Sequence, residues 1–188
     1  MNYMDSNLQI DEIIKNVEKA SSERNTDFFC TTRDVFQARL DSFTFNTNFY
    51  LLAAIIGEIG NNTFDHNWEY EKSHMRGVYF SQKDDYIVLA DFGRGIKSSL
   101  SSVRKCSSDL EAVRTAFTEQ ISGRAPEQRG NGLKFVKESV LNKNWYLYFQ
   151  SGKAVCLINK CSVNFSEVNF SFDGCLAVIK TGDLEYEH

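Results

Sequence analysis

Residues 48–67, NFYLLAAIIGEIGNNTFDHN, constrain this chain more than any other stretch. Phe49, Leu52, Ile55, Ile56 and Ile59 recur at helical spacing, so one face of a helix reads as core. Glu58, Asn62 and His66 fall at i, i+4 and i+8, which stacks them along one stripe of the same helix. A carboxylate in such a stripe can orient or deprotonate a nucleophile. An amide offers a neutral oxygen to a hard cation such as Mg²⁺, which keeps most of its waters and needs few protein ligands. The same pattern also describes the polar end of an ordinary amphipathic helix, so the stripe does not decide alone.

The totals narrow the classes. A chain of 188 residues is long enough for one domain with a substantial core. Its formal net charge of −4 gives no support to a nucleic-acid or anionic-membrane surface, and neither partner is expected. No apolar run reaches the roughly 18 residues of a membrane span. The acidic N-terminus MNYMDSNLQIDEIIKN lacks the apolar region of a signal peptide, so a cytoplasmic protein is expected. The five cysteines are scattered with no Cys-x-x-Cys pair, which favours buried free thiols over a structural metal.

Taken in order, residues 6–20 carry Leu8, Ile10, Ile13, Ile14 and Val17 among charged residues, an amphipathic helix. SSERNTDFF reads as a break and TTRDVFQARLDSF as a short helix. The central helix follows, with Asn46, Thr47 or Asn48 as its N-cap. RGVYFSQ and YIVLADF, separated by KDD, read as a hairpin or two adjacent strands. The second ends in Asp91-Phe92-Gly93-Arg94-Gly95-Ile96, and glycines after a strand-end carboxylate allow a ligand close to the backbone. Residues 97–129 are rich in Ser, Lys and Arg at both ends around a helix at 109–121 capped by Ser108 or Asp109, and they read as mobile with few apolar anchors. Gly130-Asn131-Gly132-Leu133 opens another helix, whose free N–H groups suit an anion, phosphate above all. Strands complete the chain: WYLYFQ, a SGK turn, AVCLINK, an ambiguous NFSEVNFSF and GCLAVIKT. Internal repeats and low-complexity linkers are absent from this reading. The order predicts an α+β two-layer sandwich, with helices on one face of a mostly antiparallel sheet.

Two motifs mislead. Asp91-Phe92-Gly93 spells the magnesium motif of protein kinases, and Ala177-Val178-Ile179-Lys180 resembles their strand lysine, but the order is reversed. Gly130-x-Gly132 might open a dinucleotide fingerprint, yet Phe135 occupies its third glycine position.

Three elements remain in one order. They are Glu58-x-x-x-Asn62-x-x-x-His66 on a helix, Asp91-x-Gly93-x-Gly95 after a strand, and Gly130-x-Gly132-Leu133 opening a helix. Each alone is unspecific, and together they are quite specific. The arrangement resembles the GHKL ATPase superfamily, which includes DNA gyrase, histidine-kinase catalytic domains, MutL mismatch-repair proteins and anti-sigma-factor serine kinases. The resemblance covers residues 45 to 181. It implies the Bergerat fold, an ATP-binding domain at 45–188 with a lid at 97–129, and a helical extension at 1–44. It implies ATP or ADP with Mg²⁺ as ligands. Glu58 would act as general base or orient the attacking group, and Asn62 would hold the Mg²⁺. Asp91 would accept from the adenine amino group, with Gly93, Gly95 and Ile96 beside the base and sugar. Gly130, Asn131, Gly132 and Leu133 would cradle the phosphates.

The chain departs from the family in places. Many members carry a Thr near the start of the last strand, and the matching position here is Cys175. Asn61 precedes Asn62, which leaves two registers one residue apart, and the i+4 spacing from Glu58 favours Asn62. Arg94, Lys97, Arg129 and Lys134 are further phosphate candidates. The region before residue 45 holds no histidine to accept a phosphoryl group, and a transducer domain is not expected within 188 residues. The resemblance therefore points to a stand-alone domain similar to the anti-sigma-like serine kinases and small HATPase proteins. Such a protein would be an ATP-dependent kinase or slow ATPase acting on a separate protein partner. The alternative is a nucleotide-gated interaction module with little turnover.

Overall fold

A computed structural model describes residues 4–47, 49–66, 76–83, 86–119, 132–160 and 162–181. In chain order the elements are α1 (Met4–Ser22), β1 (Phe29–Cys30), α2 (Arg33–Thr47), α3 (Tyr50–His66), β2 (Val78–Lys83) and β3 (Tyr86–Asp91). They continue with α4 (Gly95–Leu100), α5 (Asp109–Thr118), α6 (Gly132–Asn142), β4 (Tyr146–Asn159) and β5 (Ser162–Lys180). The five strands form one sheet in the order β1-β2-β3-β5-β4, with every neighbouring pair antiparallel. This is the α+β architecture with an antiparallel sheet that the sequence predicts.

Strand alternation divides the sheet into two buried faces. Val78, Phe80, Ile87, Leu89, Leu147 and Phe149 face α2, α3, α5 and α6. Tyr79, Tyr86, Val88, Ala90, Tyr148 and Val178 face the other way, where Ile10, Ile13, Ile14, Val17 and Ala20 of α1 cover them. Helices thus lie on both faces, and α1 adds a third layer to the expected two. The reason is the strands themselves, which are apolar on both sides and need two covers. The expected boundary at residue 44 falls inside α2, whose Phe36, Leu40 and Phe43 are buried in the same core as α3.

The central helix begins slightly later than the capping residues suggest. The Phe49 carbonyl accepts from the Ala53 N–H at 2.9 Å, while Thr47 Oγ1 accepts from the Phe49 N–H at 3.3 Å. Asn48 lies outside the described residues. Two short elements were not expected: β1 in the SSERNTDFF break, and α4, where Gly95 had been read only as a flexible approach.

The segment after β3 is also better anchored than its composition suggests. Ser108 Oγ accepts from the Glu111 N–H at 3.1 Å, so Ser108 is the cap of α5. Ala112, Val113 and Phe117 are fully buried, and the Phe117 ring meets Phe149 edge-on at 5.1 Å. Burying one such ring contributes about 1.5–3 kcal/mol, so α5 is part of the core. Asp109 Oδ2 accepts from the Lys153 N–H at 3.1 Å and ties the start of α5 to β4.

That bond also explains the SGK sequence. It is not a turn, because β4 runs straight through it. Gly152 sits at φ +59°, and the register shifts on both sides of it, pairing Gly152 with Phe172 but Ala154 with Glu167. The extra residues of β5 form a bulge. Buried Gln150 serves this bulge by donating to the carbonyls of Gly152 (3.0 Å) and Phe170 (2.9 Å), and it accepts from the Tyr148 hydroxyl at 2.7 Å. A short repeat also emerges in β5, with Val-Asn-Phe-Ser at 163–166 and again at 168–171. Five is an odd offset, so the copies face opposite sides. Val163 and Phe165 pack on the helix-covered core, and Val168 on the α1 side.

A Cβ at Gly152 would lie 2.2 Å from Asp109 Oδ2. Gly152→Ala should therefore destabilise the fold by about 2 kcal/mol, from left-handed backbone strain plus loss of the Asp109 contact. Urea denaturation of Gly152→Ala, Asp109→Ala and the double variant checks this. Because the two changes disrupt the same contact, the double variant should lose less than the sum of the singles.

Candidate functional site

Helix α3 presents three working stripes. Ile55, Ile59 and Thr63 lie at i, i+4 and i+8, are all buried, and face the sheet near β3. Gly60 lies under the Phe36 ring, where a Cβ would be 2.2 Å from Cζ, so α2 packs close. Glu58 and Asn62 form the stripe toward α6. Glu58 is exposed, and its Oε2 lies 2.5 Å from where a Cβ of Gly132 would be. The structure thus brings Glu58 to the first residue of α6, and glycine leaves room for the carboxylate there. Leu133 follows with its side chain buried in the core, which leaves only its backbone for a ligand. Gly130 and Asn131 lie outside the described residues, as do Arg129 and the His66 side chain.

Asn62 is half-buried. Its neighbour Asn61 has a buried Oδ1 with no hydrogen-bond partner. A buried acceptor left unsatisfied costs about 1–3 kcal/mol, so it marks a place for a water or a cation. The i+4 spacing that favours Asn62 therefore does not settle which asparagine is the ligand.

Asp91 ends β3 and is buried, with 6% of its surface exposed. Its Oδ1 accepts from the Gly93 N–H at 2.8 Å, an Asx-turn made with its own backbone. Its Oδ2 accepts from the Thr63 hydroxyl at 3.3 Å. Phe92, between them, reaches the α1 side of the sheet and packs on Phe29 and Phe172, with ring centroids 6.5 and 5.4 Å away. Across the sheet Asp91 pairs with Cys175. Burial pushes the Cys175 thiol well above the usual range, and the nearby Asp91 charge adds to this, so Cys175 remains a neutral thiol.

Ser151 joins these parts. Its Oγ accepts from the Ile96 N–H at 2.9 Å and donates to the Gly174 carbonyl at 2.9 Å, and the Cys175 thiol lies 3.7 Å away. Gly95 has φ +70°, and a Cβ there would be 2.8 Å from Ser151 Oγ. The fold alone therefore requires glycine at 95. Gly174 is equally constrained, since at φ +102° its Cβ would be 2.0 Å from the Asp91 carbonyl oxygen. Thr63 and Ser151 were missed by sequence reasoning. Thr63 continues the Ile55–Ile59 stripe, which is the one local signal available, and Ser151 lay in an apparent turn.

Of the cationic candidates, Lys97 donates to the Ser107 carbonyl at 3.1 Å, and Arg94 and Lys134 are half-buried. Among the described residues no cluster of three or more His, Cys, Asp or Glu has metal-binding geometry. No helix among them is long and apolar enough to cross a membrane.

No family model matches the chain, and no curated protein does. Among solved structures it is similar to the 43K ATPase domain of Thermus thermophilus gyrase B, crystallised with an aminocoumarin. The identity is 16%, the TM-score 0.40, and the match covers 78% of this chain and 40% of that one. It is also similar to the topoisomerase IV ATP-binding domain of Francisella tularensis in complex with a small-molecule inhibitor. There the identity is 16%, the TM-score 0.38, and the coverage 70% and 36%. The chain thus spans about two fifths of these structures' length. At these TM-scores the likeness carries no function across, and the chemistry of the site rests on its own residues.

Proposed function

We propose that this chain is an ATP-binding domain of GHKL type, acting as a kinase or slow ATPase on a separate protein. The observation that carries the reading is the buried Asp91 carboxylate at a strand end, held by Gly93 and Thr63 and lying opposite Cys175. A carboxylate is an acceptor and each oxygen takes more than one hydrogen bond. It suits the amino group of adenine, and guanine offers a carbonyl in that place.

The residues at the other end fit a triphosphate with Mg²⁺. The first residue of α6 is a glycine, and helix N-termini favour anions. The half-buried Asn62 supplies a neutral oxygen one turn beyond Glu58 on α3. Bound Mg²⁺ would neutralise phosphate charge. Glu58 lies against that same helix end, where its carboxylate can orient a water or a partner's hydroxyl and take its proton. The cover proposed for residues 97–129 excludes α5, which is fixed in the core.

The base pocket is tested by calorimetry. Wild type should bind ATP and discriminate against GTP. Asp91→Asn keeps an acceptor for Gly93 but can turn a donor toward the adenine amino group, and it should weaken ATP by about 2 kcal/mol with little change in melting temperature. Equal affinity for ATP and GTP in wild type would remove adenine from the assignment.

The catalytic end is tested by separating affinity from turnover, with candidate protein partners present. Glu58→Gln should retain ATP affinity and lose about 10²–10⁴-fold in hydrolysis or phosphotransfer. Asn62→Ala should weaken Mg²⁺-dependent binding as well. The same loss in Asn61→Ala but not in Asn62→Ala would move the cation ligand to Asn61. If Glu58→Gln turns over as wild type does, the chain is a nucleotide-gated interaction module instead.

A further inference from the structure

We infer that Thr63 is a positioning residue that sets base specificity, an inference that rests on the ATP-binding reading above. Its place in α3 calls for an apolar side chain. It follows Ile55 and Ile59 on the buried stripe, and only 5% of its surface is exposed. Other hydroxyls in the helices turn back on the preceding turn: Thr44 to the Leu40 carbonyl, Thr47 to Phe43, Ser99 to Gly95 and Thr118 to Arg114, at 2.7–2.8 Å. That local bond is the usual way a helical threonine satisfies its donor. Thr63 instead donates across the layers to Asp91 Oδ2.

The consequence is directional. Both oxygens of Asp91 accept from protein donors, Oδ1 from the Gly93 N–H and Oδ2 from the Thr63 hydroxyl. The terminal torsion of an aspartate is otherwise broad and two-fold, so two donors on opposite oxygens fix the carboxylate plane. A hydroxyl that spends its proton on Asp91 presents only lone pairs to anything beyond it. Asp91 and Thr63 together therefore offer acceptors and no donor to a base edge. An exocyclic amino group is accepted there, and a ring carbonyl meets repulsion and an unpaired oxygen. The ligand class is an adenine nucleotide, and Thr63 sharpens its separation from a 6-oxopurine.

The test compares ATP with ITP, which carries a carbonyl where ATP carries the amino group. Affinities are measured calorimetrically on the full chain for wild type, Thr63→Val, Thr63→Ala and Thr63→Ser, with melting temperatures alongside. Wild type should prefer ATP. In Thr63→Val the ATP-to-ITP affinity ratio should fall about tenfold, largely through weaker ATP binding, and Thr63→Ser should restore it. Thr63→Ala gives the same reading if the valine variant does not fold. A merely structural threonine would lower both affinities together, so an unchanged ratio in a folded variant overturns the inference. If wild type binds neither nucleotide, the ATP-binding reading itself falls, and the role of Thr63 falls with it. If wild type prefers ATP and the ratio stays fixed in the variants, that reading stands and the inference about Thr63 alone fails.

Discussion

A carboxylate buried at the end of a strand has to be held by donors, and much of this structure is arranged around that need at Asp91. The Asx-turn to Gly93 takes one oxygen and the α3 hydroxyl the other. The turn brings the chain close to β5, where Gly174 is the only residue type that clears the Asp91 carbonyl. Ser151 then closes the circuit by binding both the Gly174 carbonyl and the first turn of α4. The backbone turn after Asp91 thus requires glycine on β5, Ser151 on β4 leaves room only for glycine at the start of α4, and Thr63 on α3 meets the carboxylate itself. Their common neighbourhood could not be guessed from their separation in sequence.

The same turn links the two faces of the sheet. Asp91 looks toward α3, while the next residue, Phe92, packs among Phe29 and Phe172 on the α1 side. The N-terminal helix therefore supports the turn from the other face of the sheet. Removing the apolar stripe of α1 would uncover Tyr79, Val88, Tyr148 and Val178 together. This is why α1 belongs to the core and not to an appendage.

What was legible in the sequence follows the range of the forces involved. The apolar period of α3 predicts Phe49, Leu52, Ile55, Ile56 and Ile59 as core; the last four are buried and Phe49 packs against them half-buried. Periodicity is local, as is the serine cap of α5. The SGK segment was misread because glycine punctuates both turns and bulges, and only the partner strand decides between them. β1, at two residues, is too short to show alternation, and α4 opens without a side-chain cap. At the site, Glu58, Asp91 and Gly95 stood out by residue type and spacing. Thr63 and Ser151 did not, because a hydroxyl declares its role only through the group it meets across the fold. The reading of few apolar anchors, which leaned on composition, does not hold for α5 within 97–129. Composition does not register how few large side chains suffice to anchor a helix, and Phe117 with Val113 does so for α5.

The position of Glu58 bears on how the proposed chemistry would be controlled. Its carboxylate lies beside the first residue of α6, yet it is exposed. A general base works best where bulk water is excluded, because electrostatic interactions strengthen there and competing hydrolysis is suppressed. The elements flanking it cannot provide that exclusion by moving. α3 and α6 hold each other through buried Ile55, Ile59, Leu133 and Val136, and α5 is pinned by Phe117 and by the Asp109 bond to β4. Under the proposed reading, a second protein docking at the α3–α6 end would supply that exclusion. That partner would complete the site as well as accept the phosphoryl group. Turnover would then depend on the partner while nucleotide affinity, set at the Asp91 end, would not.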